Sequence, residues 1–115
     1  MKRGQTTYVM GVTGRKEEKL NRFWKKQQTA RISRGIRNKM IFSERGEYLN
    51  YFKKLRLTET RVLEGLTPVA IQIFGDELVL ILNYPEPTTC FMIYSKGTAT
   101  SFKQFFEQLW KIAEP

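Results

Sequence analysis

The chain of 115 residues contains no histidine and a single cysteine, Cys90. Acid–base catalysis near neutral pH would therefore rest on carboxylates or lysine. One cysteine permits no intramolecular disulfide and cannot anchor a zinc site alone, and in its apolar run we expect a buried, inert thiol. No apolar run reaches the ~18 residues of a membrane span, and no apolar signal segment follows Met1–Gln5. These absences favour a cytoplasmic protein without membrane, metal or cofactor.

Positive charge is abundant and uneven. The net charge is +9, but residues 1–56 carry sixteen Lys and Arg against four Asp and Glu, whereas residues 57–115 carry four against seven. A basic balance of this size favours anionic partners such as nucleic acid or phosphorylated ligands, although solubility explains it equally well. The asymmetry predicts one basic working face on one domain, residues 1–115.

Hydrophobic periodicity predicts alternating strands and helices in the first half of the chain. Thr6–Val12 and Arg37–Phe42 have the composition of strands, and Arg15–Arg34 has that of a helix. Gly35 is a plausible helix stop because glycine tolerates the left-handed conformation. Glu47–Leu55 predicts a short helix, and Thr60–Leu66 predicts an extended segment.

The second half predicts a hairpin, a further strand and a long helix. Val69–Phe74 and Glu77–Leu82 flank the turn residues Gly75 and Asp76. The apolar character of Glu77–Leu82 predicts a central strand covered on both faces, and Cys90–Tyr94 predicts another buried strand. In the final helix, which Thr98 is expected to cap, six residues are spaced as one apolar stripe: Phe102, Phe105, Phe106, Leu109, Trp110 and Ala113.

This order of elements predicts an α/β fold. A parallel start joined to an antiparallel finish gives a mixed sheet with helices packed on its faces. In such sheets ligands bind at the carboxyl ends of the parallel strands. We therefore predict a small-molecule site at the turns that follow the first two strands. Its candidate residues are Thr13, Gly14, Arg15, Ser43 and Arg45.

Three other readings of the sequence remain open. The turn Gly11–Arg15 precedes a helix and resembles a phosphate-binding turn, but it matches neither the Walker pattern nor the dinucleotide fingerprint. Direct nucleic-acid binding is the main alternative and would act through residues 15–56. Its candidate phosphate contacts are Lys25, Lys26, Arg31 and Arg34. An enzyme is the weakest reading because the carboxylates are scattered.

The C-terminal half resembles the end of the phospholipase-D-like sensor domain of TrmB-type, mainly archaeal, transcriptional regulators. The shared pattern is a hairpin (Pro68–Leu82), an acidic residue and proline before an apolar strand (Glu86–Pro87), and a helix with a Phe-Phe-x-x-Leu-Trp signature (Ser101–Ala113). The upstream segment Arg31–Ile36 also resembles that family's turn from helix to strand. The resemblance covers roughly residues 6–114 and is most specific over residues 68–113.

The resemblance implies a phospholipase-D-like fold and a non-catalytic sensing role. Active members of the phospholipase D superfamily use a histidine–lysine–aspartate motif, and this chain has no histidine to supply it. The implied partners are a small-molecule effector, a second copy in a homodimer, and DNA bound through a separate domain or directly. No position safely inherits the effector-binding residues of the family's sugar sensors.

Overall fold

A computed structural model describes residues 5–13, 18–65, 69–83, 87 and 89–115; of residues 18–21 it describes only the backbone. Six strands and three helices lie in these ranges, and their order matches the sequence prediction. The elements are β1 (Thr6–Val12), α1 (Glu18–Ser33), β2 (Arg37–Phe42), α2 (Glu47–Lys53), β3 (Thr58–Val62), β4 (Val69–Phe74), β5 (Leu78–Asn83), β6 (Thr89–Tyr94) and α3 (Lys96–Ile112).

The strands form one mixed sheet in the order β3-β2-β1-β4-β5-β6. β1, β2 and β3 are parallel, and β4, β5 and β6 are antiparallel to their neighbours. The chain moves outward from β1 to β3 and then returns to the other side of β1 with β4. The predicted α/β class and mixed sheet are therefore confirmed. β1 lies at the point where the direction of the chain's progress through the sheet reverses.

Helices cover both faces of the sheet, each above its own hydrophobic cluster. α2 packs on a cluster that includes Val9, Met40 and Phe42, and it contributes Leu49 and Phe52. α1 lies on this same face, because cavities beneath it are lined by residues of α1 together with Val9 of β1. α3 packs on the opposite face. Its cluster consists of Met10, Ile41, Ile73, Val79, Ala99, Phe106 and Ala113.

The prediction of buried strands in the second half is wrong for β6. β6 is the last strand of the sheet, and Cys90 is exposed. β5 is next to it, and the expected cover on both faces is incomplete because only Val79 and Leu82 of its residues are buried. An apolar run shows that side chains avoid water, but it does not show which strand or helix covers them.

One predicted helix end also changes. α3 begins at Lys96 and its N-cap is Ser95, whose hydroxyl oxygen accepts a hydrogen bond from the Thr98 N–H at 3.1 Å, so Thr98 is not the cap. The start predicted for α1 lies outside the described residues. Gly35 follows α1 in the left-handed conformation, as predicted. None of the described helices is both long and apolar enough to cross a bilayer.

Candidate functional site

A cleft of about 400 Å³ opens between α1 and the sheet. α1 connects β1 to β2, and the cleft lies over the amino ends of these two strands, at Thr7 and Asn38, rather than at the carboxyl ends where the sequence prediction placed the ligand site. The cleft is also bounded by β4, which lies on the other side of β1. Its lining residues are Thr7, Val9, Phe23, Trp24, Gln27, Gln28, Ala30, Arg31, Arg34, Ile36, Asn38, Gln72 and Phe74.

Aromatic rings form part of the wall of this cleft. Phe23 and Trp24 project from α1 with their ring centroids 5.0 Å apart and nearly perpendicular, and Phe74 lines the cleft from the end of β4. Phe23 remains half-exposed, although its helical position predicts burial. Exposed and half-buried rings offer flat apolar surface to a ligand.

The inner end of the cleft adjoins a second cavity of about 30 Å³ that shares Val9, Trp24, Gln28 and Gln72 with it. Thr13 also lines this smaller cavity. Three buried polar atoms here have no hydrogen-bond partner among the described residues: the Trp24 Nε1, the Gln72 Oε1 and the Thr13 Oγ1. A buried polar atom that stays unpaired costs about 1–3 kcal/mol. The residues that line this cavity therefore include an N–H donor, a carbonyl acceptor and a hydroxyl without partners.

β1 contains a bulge next to the smaller cavity. Register with β2 shifts between Met10 and Val12, and Gly11 adopts a φ of 78°. A Cβ at position 11 would overlap the carbonyl oxygen of Val69, so only glycine lets β4 approach β1 this closely. Bulges commonly re-aim the residues beside a functional site. Here the bulge lies two residues before Thr13.

Arg31 holds the far end of α1 to the sheet. Its Nε donates to the Gln28 Oε1 at 2.8 Å, its Nη1 donates to the carbonyl oxygens of Ile36 and Leu57 at 2.7 and 2.9 Å, and its Nη2 donates to the Thr58 Oγ1 at 2.6 Å. One guanidinium thus ties α1 to the starts of β2 and β3. Burial lowers the pKa of Arg31 below its ordinary value.

The charge of the cleft is positive. Arg31 is buried at its edge, and its four hydrogen-bond acceptors are all neutral. Arg34 lines the same cleft and is exposed. None of the described residues that line either cavity is Asp or Glu. A buried cation without a neighbouring carboxylate makes an anionic group in the cleft favourable.

The structure brings together only some of the five residues predicted for the ligand site. The Ser43 N–H donates to the Val12 carbonyl oxygen at 2.8 Å, so Thr13 and Ser43 follow neighbouring strand ends, as the sequence indicates. Gly14 and Arg15 lie outside the described residues. Arg45 instead forms an ion pair with Glu114 at 3.3 Å and is half-exposed. Of the five, only Thr13 lines the cavities beneath α1.

The four residues predicted to contact nucleic acid differ in their exposure. Lys26 on α1 and Arg34 directly after it are exposed, and the Lys25 Nζ lies 4.6 Å from the centroid of the Tyr51 ring. Arg31 is buried and its guanidinium is engaged inside the protein. Lys26 and Arg34 therefore remain available at the surface, whereas Lys25 is half-buried against Tyr51.

Sequence reasoning missed Trp24, Gln28 and Gln72 as site residues. Trp24 and Gln28 are spaced four residues apart, so they share a face of α1. Gln72 interrupts the apolar strand Val69–Phe74 and shares its face with Ala70 and Phe74. A lone amide in an apolar strand was the one available signal, because a buried amide requires partners.

Comparisons with known proteins add no relative: no protein-family model matches this sequence, and no curated protein matches it significantly. Within the described part of the chain, no three His, Cys, Asp or Glu side chains are grouped closely enough to hold a metal ion. The arrangement beneath α1 is suited to binding a small molecule through aromatic surface, amides and positive charge.

Proposed function

We propose that this chain is a non-catalytic effector-sensing and dimerisation domain of a transcriptional regulator, with a phospholipase-D-like fold of the TrmB type. The resemblance of residues 68–113 to that family's sensor domain supports the class. The mixed sheet, with the hairpin β4–β5, the strand β6 and the Phe- and Trp-rich α3 in that order, is compatible with it. Contact with DNA is then the task of a separate domain.

One observation carries the sensing role. The cavities beneath α1 contain three unpaired polar atoms at their inner end and aromatic rings at their mouth. Buried polar groups are normally paired, so this combination supports a ligand that supplies the missing partners. A ligand that offers an acceptor to the Trp24 Nε1 and a donor to the Gln72 Oε1 removes the free-energy cost of leaving these two atoms unpaired.

The chemistry of the cleft indicates the class of effector. Flat or apolar surface suits Phe23, Trp24 and Phe74, whereas Arg31 and Arg34 favour a negative group. The effector is therefore a small organic molecule with a planar or apolar body and an anionic end. A volume of about 400 Å³ is within the range of small-molecule sites.

The test is a thermal-shift screen followed by calorimetry. The panel contains aromatic carboxylates, nucleoside monophosphates, and neutral mono- and disaccharides. We expect an anionic member to raise the melting temperature, because a ligand that binds only the folded state stabilises it. The affinity of that hit is then measured for Gln72→Met and for the matched control Gln104→Met, which changes an exposed residue of α3.

Gln72→Met should weaken binding by about tenfold, because it removes a hydrogen bond worth about 1.4 kcal/mol or more, whereas Gln104→Met should leave the affinity unchanged. Equal affinities for the two variants and the unmodified protein would place the ligand elsewhere. A panel without any hit in the presence of folded protein would argue against the proposed effector class.

Direct nucleic-acid binding is the second candidate, and the exposed charge on the outer surface of α1 favours it. Arg22 and Lys26 are exposed there, one turn apart, and Arg34 is exposed just after the end of α1. If this surface binds phosphates, affinity for duplex DNA falls steeply with salt, and Lys26→Gln lowers the salt dependence by about one phosphate contact. The sensing proposal instead predicts no measurable binding by this domain alone at low salt.

A further inference from the structure

β6 is an open edge of the sheet. It pairs with β5 on one side, and no described residue pairs with it on the other. The Ser95 N–H donates to the Glu77 carbonyl oxygen at 2.7 Å, which sets the alternation of hydrogen-bonded pairs between the two strands. Phe91 and Ile93 therefore direct their backbone groups toward β5. Cys90, Met92 and Tyr94 direct theirs outward.

The side chains of β6 make this edge suitable for pairing. Phe91, Met92 and Tyr94 are 55%, 56% and 72% exposed, and the strand contains no charged residue. Edge strands that remain single are usually protected by lysine, proline, a bulge or a covering segment. The opposite edge of this sheet has such features: β3 carries Glu59 and Arg61, and its last residue, Val62, pairs with Glu114.

We propose that β6 pairs with β6 of a second copy of this chain, antiparallel and about a two-fold axis at Met92, to form a continuous twelve-stranded sheet. Met92 then lies opposite itself, and Cys90 lies opposite Tyr94 of the second copy. The outward backbone groups of these residues form about six hydrogen bonds between the copies. An axis at Met92 pairs more of the strand than an axis at Cys90 or Tyr94 does.

Charge favours a second copy as the occupant. Two molecules with a net charge of +9 repel each other, and this repulsion is least where their contact surface is uncharged. Pairing through β6 puts no like charges opposite each other. It also keeps the basic residues of α1 and β2 away from the contact, because β6 lies at the far end of the strand order from β2. An acidic partner would be attracted to α1 instead.

Sedimentation equilibrium tests the interface. The unmodified protein is expected to have twice the 13.6 kDa mass of one chain. Met92→Lys places two ammonium groups opposite each other, so it should raise the dissociation constant at least about tenfold. The matched control Thr60→Lys, in the middle of the β3 edge, should leave it unchanged. A monomer at every concentration, or a dimer that Met92→Lys does not weaken, overturns the proposal.

A proline substitution separates loss of the dimer from loss of the fold. The Met92 N–H points away from β5, so Met92→Pro removes no hydrogen bond within the chain and should leave the circular dichroism spectrum folded while it abolishes the dimer. Phe91→Pro removes a bond to β5 and should destabilise the monomer itself. A folded Met92→Pro variant that remains dimeric contradicts pairing through this edge.

Disulfide trapping tests the register. Met92→Cys in a Cys90→Ser background should form a disulfide-linked dimer on mild oxidation, because residues opposite each other in a hydrogen-bonded pair have Cα atoms about 5.5 Å apart. Tyr94→Cys should crosslink to Cys90 of the second copy when Cys90 is present and should not crosslink in the Cys90→Ser background. If Tyr94→Cys crosslinks in the Cys90→Ser background and does not crosslink when Cys90 is present, an axis at Met92 is excluded.

This inference rests on the dimerisation part of the proposed function and is independent of the effector. The Gln72→Met variant should remain dimeric, and the Met92→Pro variant should retain the ligand affinity of the cleft. A monomeric protein that binds its ligand through Gln72 refutes only the interface. A dimer without a ligand refutes only the sensing role.

Discussion

Arg31 connects three elements through one side chain. Its guanidinium donates to the carbonyl oxygens of Ile36 and Leu57 and to the side chains of Gln28 and Thr58. Leu57 has a positive φ of 54°, a conformation that non-glycine residues rarely adopt. Its carbonyl accepts from Arg31 and also from the Asn38 N–H at 2.9 Å, and these two bonds compensate for the unfavourable backbone.

Arg31→Ala should lower the free energy of unfolding by about 2–4 kcal/mol, because it leaves buried acceptors with fewer donors. Arg34→Ala, at an exposed residue directly after the same helix, should change it by less than about 0.5 kcal/mol. Urea unfolding followed by circular dichroism measures both. If the two variants are equally stable, Arg31 does not hold α1 to the sheet.

Elements whose sequence pattern matches their packing were predictable. β1 and β2 lie where their strand composition predicts, and the hairpin β4–β5 turns at Gly75, which has a positive φ. The strand β6 was predicted, but its burial was predicted wrongly, because an apolar run does not show which elements lie beside the strand. The cleft was not predictable, since it depends on how closely α1 approaches β4, and no local pattern encodes that distance.

The apolar stripe of α3 shows that helical spacing alone does not determine which of its side chains are buried. Successive helical residues are rotated by about 100°, so Phe105 lies about 100° from Phe106, whereas Phe102, Leu109, Trp110 and Ala113 lie within about 60° of it. Phe106 is fully buried and Phe105 is 51% exposed. The sequence prediction placed both in the core, and it is wrong for Phe105.

Phe106→Ala should therefore lower the free energy of unfolding by about 3–5 kcal/mol, through lost burial and a residual cavity. Phe105→Ala should lower it by less than about 1 kcal/mol. Both values come from chemical denaturation of the two variants beside the unmodified protein. A comparable loss in the two variants would mean that Phe105 is covered in solution, which would extend the interface at β6 to α3.

The three features on which the proposals rest lie apart in the molecule. The basic surface lies on α1, the cleft lies beneath it at the strand where the topology reverses, and the uncharged edge lies at β6. α3 covers the opposite face of the sheet and contributes no residue to the cleft. A ligand bound beneath α1 would contact Trp24 and Gln28 of that helix, whose last turn Arg31 ties to the sheet.

The central claim, that the cleft beneath α1 binds a small molecule, is tested most directly by the fluorescence of Trp24. The chain has two tryptophans, and Trp110 lies on α3 across the sheet. In a Trp110→Phe variant Trp24 is the only tryptophan. We predict that the anionic hit of the screen changes its emission with the affinity measured by calorimetry, and that the Trp24→Phe variant, which retains Trp110, shows no change. An emission change confined to Trp110, or to neither tryptophan while calorimetry detects binding, would contradict the account.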